Sequence, residues 1–166
     1  MFRFKAIVPA IILMSSFALP TTAGQDFTFT SPDGGTVTTS SMRGNVVLMV
    51  FSSVQDPQCR DVFKAMESLT ERFRGQSVRI YWVSIDLEKD ASNEQIKSPC
   101  GPAGQVAILR DPSRAAFKSF GGRQMPTIVV LDKQGQMHGQ PRGGFNPNSD
   151  FVNKIAAIID GLQGQN

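Results

Sequence analysis

Cys59 and Cys100 are the only cysteines of this 166-residue chain and the residues best suited to covalent chemistry. A cysteine thiolate is a nucleophile, and two cysteines can hold two electrons as a reversible disulfide. Cys59 ends the stretch Gln55-Asp56-Pro57-Gln58-Cys59, which follows directly on an apolar run. The two cysteines therefore predict thiol chemistry near residue 59, provided that the surrounding elements expose the Cys59 sulfur or pair it with another.

The elements that position Cys59 are a strand and the helix after it. Residues 46–51 are continuously apolar, as expected for a central strand covered on both faces. We predict that a helix begins at Asp56, with Asp56 as its N-cap and Pro57 at its first position. Its apolar stripe has helical spacing and turns Cys59 inward, with Val62, Phe63, Met66, Leu69 and Phe73.

The remaining pattern predicts one α/β domain. Residues 26–38 form an N-terminal β-hairpin signal, and strands are predicted at 78–85, 105–109 and 126–131, with a return strand at 136–138. Helices are predicted at 112–120 and from Asn146 onward, with weak helical character at 86–97. This order gives a central mixed β-sheet with helices on both faces.

The first 23 residues are expected to be a secretory signal. Arg3 and Lys5 precede an apolar stretch that is shorter than a membrane span. The predicted mature domain is residues 24–166. Its formal charge is +1, whereas that of the full chain is +3, because Arg3 and Lys5 are removed with the signal. We expect a periplasmic or otherwise exported protein, no nucleic-acid partner, and membrane contact only through the signal segment if it stays uncleaved.

Three segments resemble the exported thioredoxin-like family of TlpA and ResA type. They are the hairpin at residues 27–44, the strand, turn and helix at residues 46–60, and the stretch from Gln124-Met125-Pro126 to Gly135. The resemblance implies a thioredoxin-like fold with a degenerate Cys-x-x-Cys motif. It places Asp56 at the position of the nucleophilic cysteine and Cys59 at that of the resolving cysteine.

Further features of the site follow from the same resemblance. Pro126 is expected to be the family's cis-proline, beside a groove that binds an extended substrate, and Met125 is expected to face that groove. Gln55 stands where the family has an aromatic residue, and Val50 where many thioredoxins bury an acid. No proton relay, metal site or cofactor is therefore predicted.

Several functions stay open at this point. The leading hypothesis is residual or altered thiol redox chemistry through Cys59. One alternative is a non-catalytic binding module that holds exported protein or peptide clients in the cis-proline groove. Another is a peroxiredoxin-like single-cysteine peroxidase, although residues 53–58 lack the Pro-x-x-x-Thr-x-x-Cys pattern of that family. A Cys59–Cys100 bridge is open as well: the oxidising compartment favours it, and the predicted topology does not.

Overall fold

A computed structural model describes residues 25–98 and 104–164. The expected signal segment and Cys100 lie outside the described residues. The strands are β1 Thr28–Thr30, β2 Thr36–Thr38, β3 Val46–Ser52, β4 Val78–Ser84, β5 Ala107–Arg110, β6 Thr127–Leu131 and β7 Arg142–Gly143. The helices are α1 Cys59–Arg72, α2 Asn93–Lys97, α3 Ala115–Ser119 and α4 Ser149–Gln163, with a 3₁₀ turn at Ser40–Met42.

The strands form one mixed sheet in the order β2-β1-β5-β4-β3-β6-β7. The central strands β3, β4 and β5 run parallel, and β6, β7 and β1 are antiparallel to their neighbours. β1 and β2 form the predicted N-terminal hairpin. Every residue of β3 is buried, which explains its uninterrupted apolar run.

Helices cover both faces of the sheet. α1 and α4 pack on one face, where Cys59, Val62 and Met66 meet Ile155 and Ile159. α3 packs on the other face, where Phe117 joins a cluster with Phe29 and Phe51. The predicted fold class, a thioredoxin-like mixed sheet with helices on both faces, is therefore confirmed.

The predicted return strand is wrong in position. Only Met137 bridges back to β6, and the regular pairing comes later, at β7. Gly139 has positive φ and Pro141 has no N–H to donate, so the backbone leaves the sheet after His138 and pairs again only at β7. The alternating residues 136–138 are mostly a loop for this reason.

Candidate active site at the start of the first long helix

The turn between β3 and α1 is fixed by the side chain of Asp56. Its Oδ2 accepts a hydrogen bond from Ser52 Oγ (2.9 Å), and its Oδ1 accepts one from the Gln58 N–H (2.9 Å). The Asp56 carbonyl accepts from the Cys59 N–H (2.9 Å). These bonds connect the last buried residue of β3 to the first residue of α1 and hold the turn in one conformation.

The prediction that Asp56 is the N-cap of α1 is wrong by two residues. α1 begins at Cys59, the residue before it is Gln58, and no side chain caps that position. The reason lies in the Asp56 bonds, because its side chain bonds the N–H two residues on and closes a turn of its own. Asp56 therefore caps the turn that leads into the helix, and its charge still lies at the positive end of the helix dipole.

Cys59 is buried and disulfide-bonded. It is 5% exposed and packs on the α1 side of the sheet, and it takes part in a disulfide. Cys59 therefore lies in the core, as its place in the apolar stripe predicts, and its sulfur is part of a disulfide. The positions of Cys59 and Cys100 in the sequence do not give the path of the chain between α2 and β5, so they leave open whether a bridge forms.

A buried acid that the sequence reading missed lies beside the turn. Asp86 follows β4, is 5% exposed, and accepts hydrogen bonds from Ser53 Oγ (2.5 Å), Ser84 Oγ (2.9 Å) and the Val54 N–H (3.0 Å). It ties the end of β4 to the segment that leads to Asp56. Val50, the position considered for a buried acid, is apolar core.

The signal for Asp86 was present in the sequence. A Ser-Ile-Asp stretch closes the second buried strand, and the carboxyl ends of parallel strands meet at one edge of a sheet. By its composition, Asp86 instead belongs to the polar segment at residues 86–97, for which weak helical character is predicted. Pairing of β3 with β4 in parallel register, Ser52 beside Ser84, is what brings Asp86 to the turn.

An open cavity of about 530 Å³ lies over this turn. The predicted site residues Gln55, Asp56, Pro57, Gln58 and Met125 all line it, together with Ser53, Asp86, Asp90 and Arg114. Met125 is 43% exposed, and the Met125–Pro126 peptide bond is cis. Pro126 and Cys59 are buried and do not line the cavity.

The cavity has the character of a groove with an acidic floor. Asp56, Asp86 and Asp90 contribute three carboxylates, and Arg114 contributes one guanidinium. Arg114 has φ 57°, an unusual value for a side chain other than glycine, and its Nε donates to the Ile85 carbonyl (2.9 Å). The groove is therefore shaped by fixed backbone, and its charge favours a basic ligand over an acidic one.

Within residues 25–98 and 104–164, no three His, Cys, Asp or Glu side chains converge as a metal site. His138 is exposed. No helix in the same described part of the chain is both long enough and apolar enough to cross a membrane.

Comparison with known proteins gives a family and a set of similar folds. The model of the AhpC/TSA family matches residues 20–139. A structure from Chlorobium tepidum, described as a thiol:disulfide interchange protein DsbE, is 21% identical; the match covers 84% of this chain and 94% of that chain, with a TM-score of 0.70. No curated protein matches the chain.

Two further structures show the same fold. One is Etrx1, a pneumococcal exposed lipoprotein thioredoxin from Streptococcus pneumoniae; it is 19% identical, with coverage of 81% and 99% and a TM-score of 0.67. The other is BsSco, described as a member of the Sco family of cytochrome c oxidase assembly proteins with a disulfide switch. It is 19% identical, with coverage of 86% and 94% and a TM-score of 0.64.

Proposed function

The chain belongs to the AhpC/TSA family, and we propose that it is an exported thioredoxin-fold redox protein that works through the disulfide of Cys59. Its motif has no nucleophilic cysteine at position 56. The observation that carries this proposal is the state of Cys59, which is disulfide-bonded at the first residue of α1. In this proposal a longer connection takes the place of the Cys-x-x-Cys spacing.

Cys100 is the partner in this proposal, because it is the only other cysteine of the chain. Asp56 cannot form a mixed disulfide, and its carboxylate is occupied by Ser52 and Gln58. Asp56 is therefore a structural replacement: it puts a permanent negative charge where a reactive thiolate would otherwise lie. The sulfurs that cycle between disulfide and thiol are those of Cys59 and Cys100.

The proposed reaction is thiol–disulfide exchange with a protein dithiol. A thiolate of the client attacks the Cys100 sulfur, the Cys59–Cys100 bond breaks, and Cys59 leaves as a thiolate or, with a proton, as a thiol. The second client thiol then displaces Cys100, so that the client becomes a disulfide. Two electrons pass from the client to this protein. We place the attack on Cys100 because Cys59 is almost fully buried.

Client recognition is assigned to the groove over the turn. Met125 offers exposed apolar surface, and the carboxylates of Asp56 and Asp90 favour a client with a nearby Lys or Arg. Export is supported by the signal-like residues 1–23 and by the likeness to a protein described as an exposed lipoprotein.

A second candidate, a peroxidase, is favoured by the family match. In that reaction the Cys59 thiolate attacks a peroxide O–O bond and becomes a sulfenic acid, and the peroxide leaves as water or an alcohol. The Cys100 thiol then condenses with the sulfenic acid and releases water, which re-forms the disulfide. The positions of the proline and threonine in the peroxiredoxin pattern are here Ser52 and Asp56, so the first proposal is preferred.

The test is a thiol count on the protein isolated after export. The full chain is expressed in a bacterium with a periplasm, quenched in acid, and alkylated before and after dithiothreitol. Mass spectrometry should show no free thiol before reduction and two after it, with loss of residues 1–23. A native protein with two free thiols, or a bridge that dithiothreitol opens only after unfolding, would contradict the redox proposal.

Reactivity then separates the candidates. The reduced protein is mixed with an oxidised client peptide or with hydrogen peroxide, and return of the bridge is followed by alkylation. Cys59→Ser is the control, because serine is close to cysteine in size and cannot form the bridge. Faster re-formation with disulfides than with peroxide supports exchange, and the reverse supports the peroxidase. If the bridge re-forms with neither the peptide disulfide nor the peroxide, the result supports the alternative, a non-catalytic module that binds clients in the groove.

A further inference from the structure

Arg110 is the one buried basic residue in the part of the chain that the structure describes. It is the last residue of β5 and is 4% exposed. Its Nη2 donates to the Ala91 carbonyl (3.0 Å) and its Nη1 to Asn93 Oδ1 (2.5 Å), both at the start of the α2 segment. Its Nε is buried and has no hydrogen-bond partner among residues 25–98 and 104–164.

No carboxylate side chain forms an ion pair with this guanidinium. The ion pairs among the described residues do not include Arg110, and residues 1–24, 99–103 and 165–166 contain no Asp or Glu. The neighbouring Asp111 accepts instead from the N–H groups of Ala115 and Phe117 in α3. A buried cation without a counterion costs several kcal/mol, so its presence requires a compensating role.

Arg110 lies at the end of the sheet where α1 begins. Ser52, Ser84 and Arg110 are in register at the carboxyl ends of β3, β4 and β5. Strands lie about 4.8 Å apart, so the Cα atoms of Ser52 and Arg110 are about 10 Å apart. Ser52 bonds Asp56, whose carbonyl accepts from Cys59.

The side chain also points to the face that holds Cys59. Arg110 bonds the carbonyl of Ala91, and Ala91 belongs to the same buried cluster as Cys59. Trp82 belongs to that cluster too, and its Nε1 is a second buried N–H donor without a partner. The face of the sheet that holds the Cys59 disulfide therefore also holds a buried positive charge, that of Arg110, and two N–H donors without acceptors. The disulfide itself carries no charge that could balance the guanidinium.

We propose that Arg110 is a positioning residue of the redox site, whose guanidinium stabilises the Cys59 thiolate formed when the disulfide is reduced. The inference rests on the proposed function, because only reduction creates the thiolate. An external dithiol supplies two electrons and two protons, and the S–S bond of the protein breaks. The partner sulfur takes one proton and becomes a thiol. Cys59 stays as the thiolate, so the second proton is released to solvent. Nearby Arg or Lys lowers the pKa of a cysteine and so favours this form.

The negative charges of the acids around the site raise the free energy of a Cys59 thiolate. A guanidinium in the same region offsets this effect. The other charged groups close in the chain to Cys59 and Arg110, or on the segment between β4 and α2, are Asp56, Arg60, Asp61, Lys64, Asp86, Glu88, Lys89, Asp90, Glu94, Lys97, Asp111 and Arg114. Asp56 and Asp86 lie on the motif side, and their negative charges raise the energy of a neighbouring thiolate. Arg60 is exposed, so its charge is screened by solvent.

The first test uses the wild-type protein and dithiothreitol. The equilibrium between protein disulfide and dithiothreitol is measured by acid quench and alkylation from about pH 5 to about pH 8, where the reagent's thiols stay mostly protonated. Because reduction to a thiolate releases one proton, the equilibrium constant should rise about tenfold per pH unit above the Cys59 pKa. The rise should begin well below the free-thiol pKa of about 8.5.

Variants then assign the effect to Arg110. In Arg110→Gln the equilibrium constant at about pH 7.5 should fall about tenfold, which is about 30 mV for a two-electron couple. Arg110→Lys retains the charge and should stay within about threefold of wild type. Arg79→Gln is the matched control, because it removes an exposed arginine near the opposite end of β4 and should change nothing.

The outcomes separate the two proposals. A reversible bridge whose equilibrium is independent of pH, or is unchanged in Arg110→Gln, refutes the role of Arg110 and leaves the proposed function standing. A bridge that cannot be reduced in the native protein refutes both. If Arg110→Gln does not fold, the wild-type pH series and Arg110→Lys still test the inference. A wild-type equilibrium constant that does not change with pH overturns the inference by itself.

Discussion

Removal of the Asp86 carboxylate should strongly destabilise the protein. In Asp86→Ala the Val54 N–H and the hydroxyls of Ser53 and Ser84 all lose their acceptor. The two hydroxyls can rotate toward other acceptors, but the backbone N–H cannot. One buried unsatisfied donor costs about 1–3 kcal/mol, and each lost hydrogen bond to a charged group about 1.5–3 kcal/mol.

The sum expected for Asp86→Ala is a loss of about 3–5 kcal/mol in the free energy of unfolding, after allowance for the rotating hydroxyls. Asp86→Asn should cost about 1–2 kcal/mol. Its oxygen can accept from Val54 and Ser84, and its amide can donate to Ser53 Oγ, so the geometry is retained and only the charge is lost.

Urea unfolding followed by tryptophan fluorescence measures the effect, because Trp82 is the only tryptophan and is buried in the core. Asp90→Ala is the matched control: it removes an exposed carboxylate from the same cavity and should stay within about 0.5 kcal/mol of wild type. The reasoning fails if Asp86→Ala lies within about 1 kcal/mol of wild type, or if Asp86→Asn costs as much as the alanine variant.

Three further predictions concern other carboxylates. Asp56→Cys should create a thiol at the start of α1 with a pKa below about 8.5, and reduction of insulin should then exceed that of wild type; equal rates would show that the rest of the site has also diverged. Asp56→Ala should lower the free energy of unfolding by about 0.5–2 kcal/mol in urea, and Asp56→Asn by less, because Asn still accepts from Gln58; a neutral alanine variant would contradict the capping role. Hydrogen bonds from Thr39 and Ser40 lower the pKa of Asp26, so its stabilising effect is present above the unfolded pKa and is lost as the pH falls through the lower folded value. Asp26→Asn should therefore be less stable than wild type at neutral pH and equal to it in acid, and a gap that persists in acid melts would refute this assignment.

The sequence by itself determined the scaffold of the site. The continuous apolar run predicted β3, because only a strand buried on both faces needs apolar residues at every position. Helical spacing predicted which face of α1 is buried, and that face is the one that carries Cys59. Both patterns are local, so they can be read without knowledge of what lies across the sheet.

The tertiary structure alone decided what surrounds Cys59. Asp86 and Arg110 are separated from Cys59 by 27 and 51 positions in the chain, and only the parallel register of β3, β4 and β5 brings their strand ends together. The disulfide of Cys59 was equally out of reach, since spacing in the sequence does not give the distance between two sulfur atoms. Periodicity predicts which side of an element is buried, whereas the chemistry of a buried site depends on which strands become neighbours.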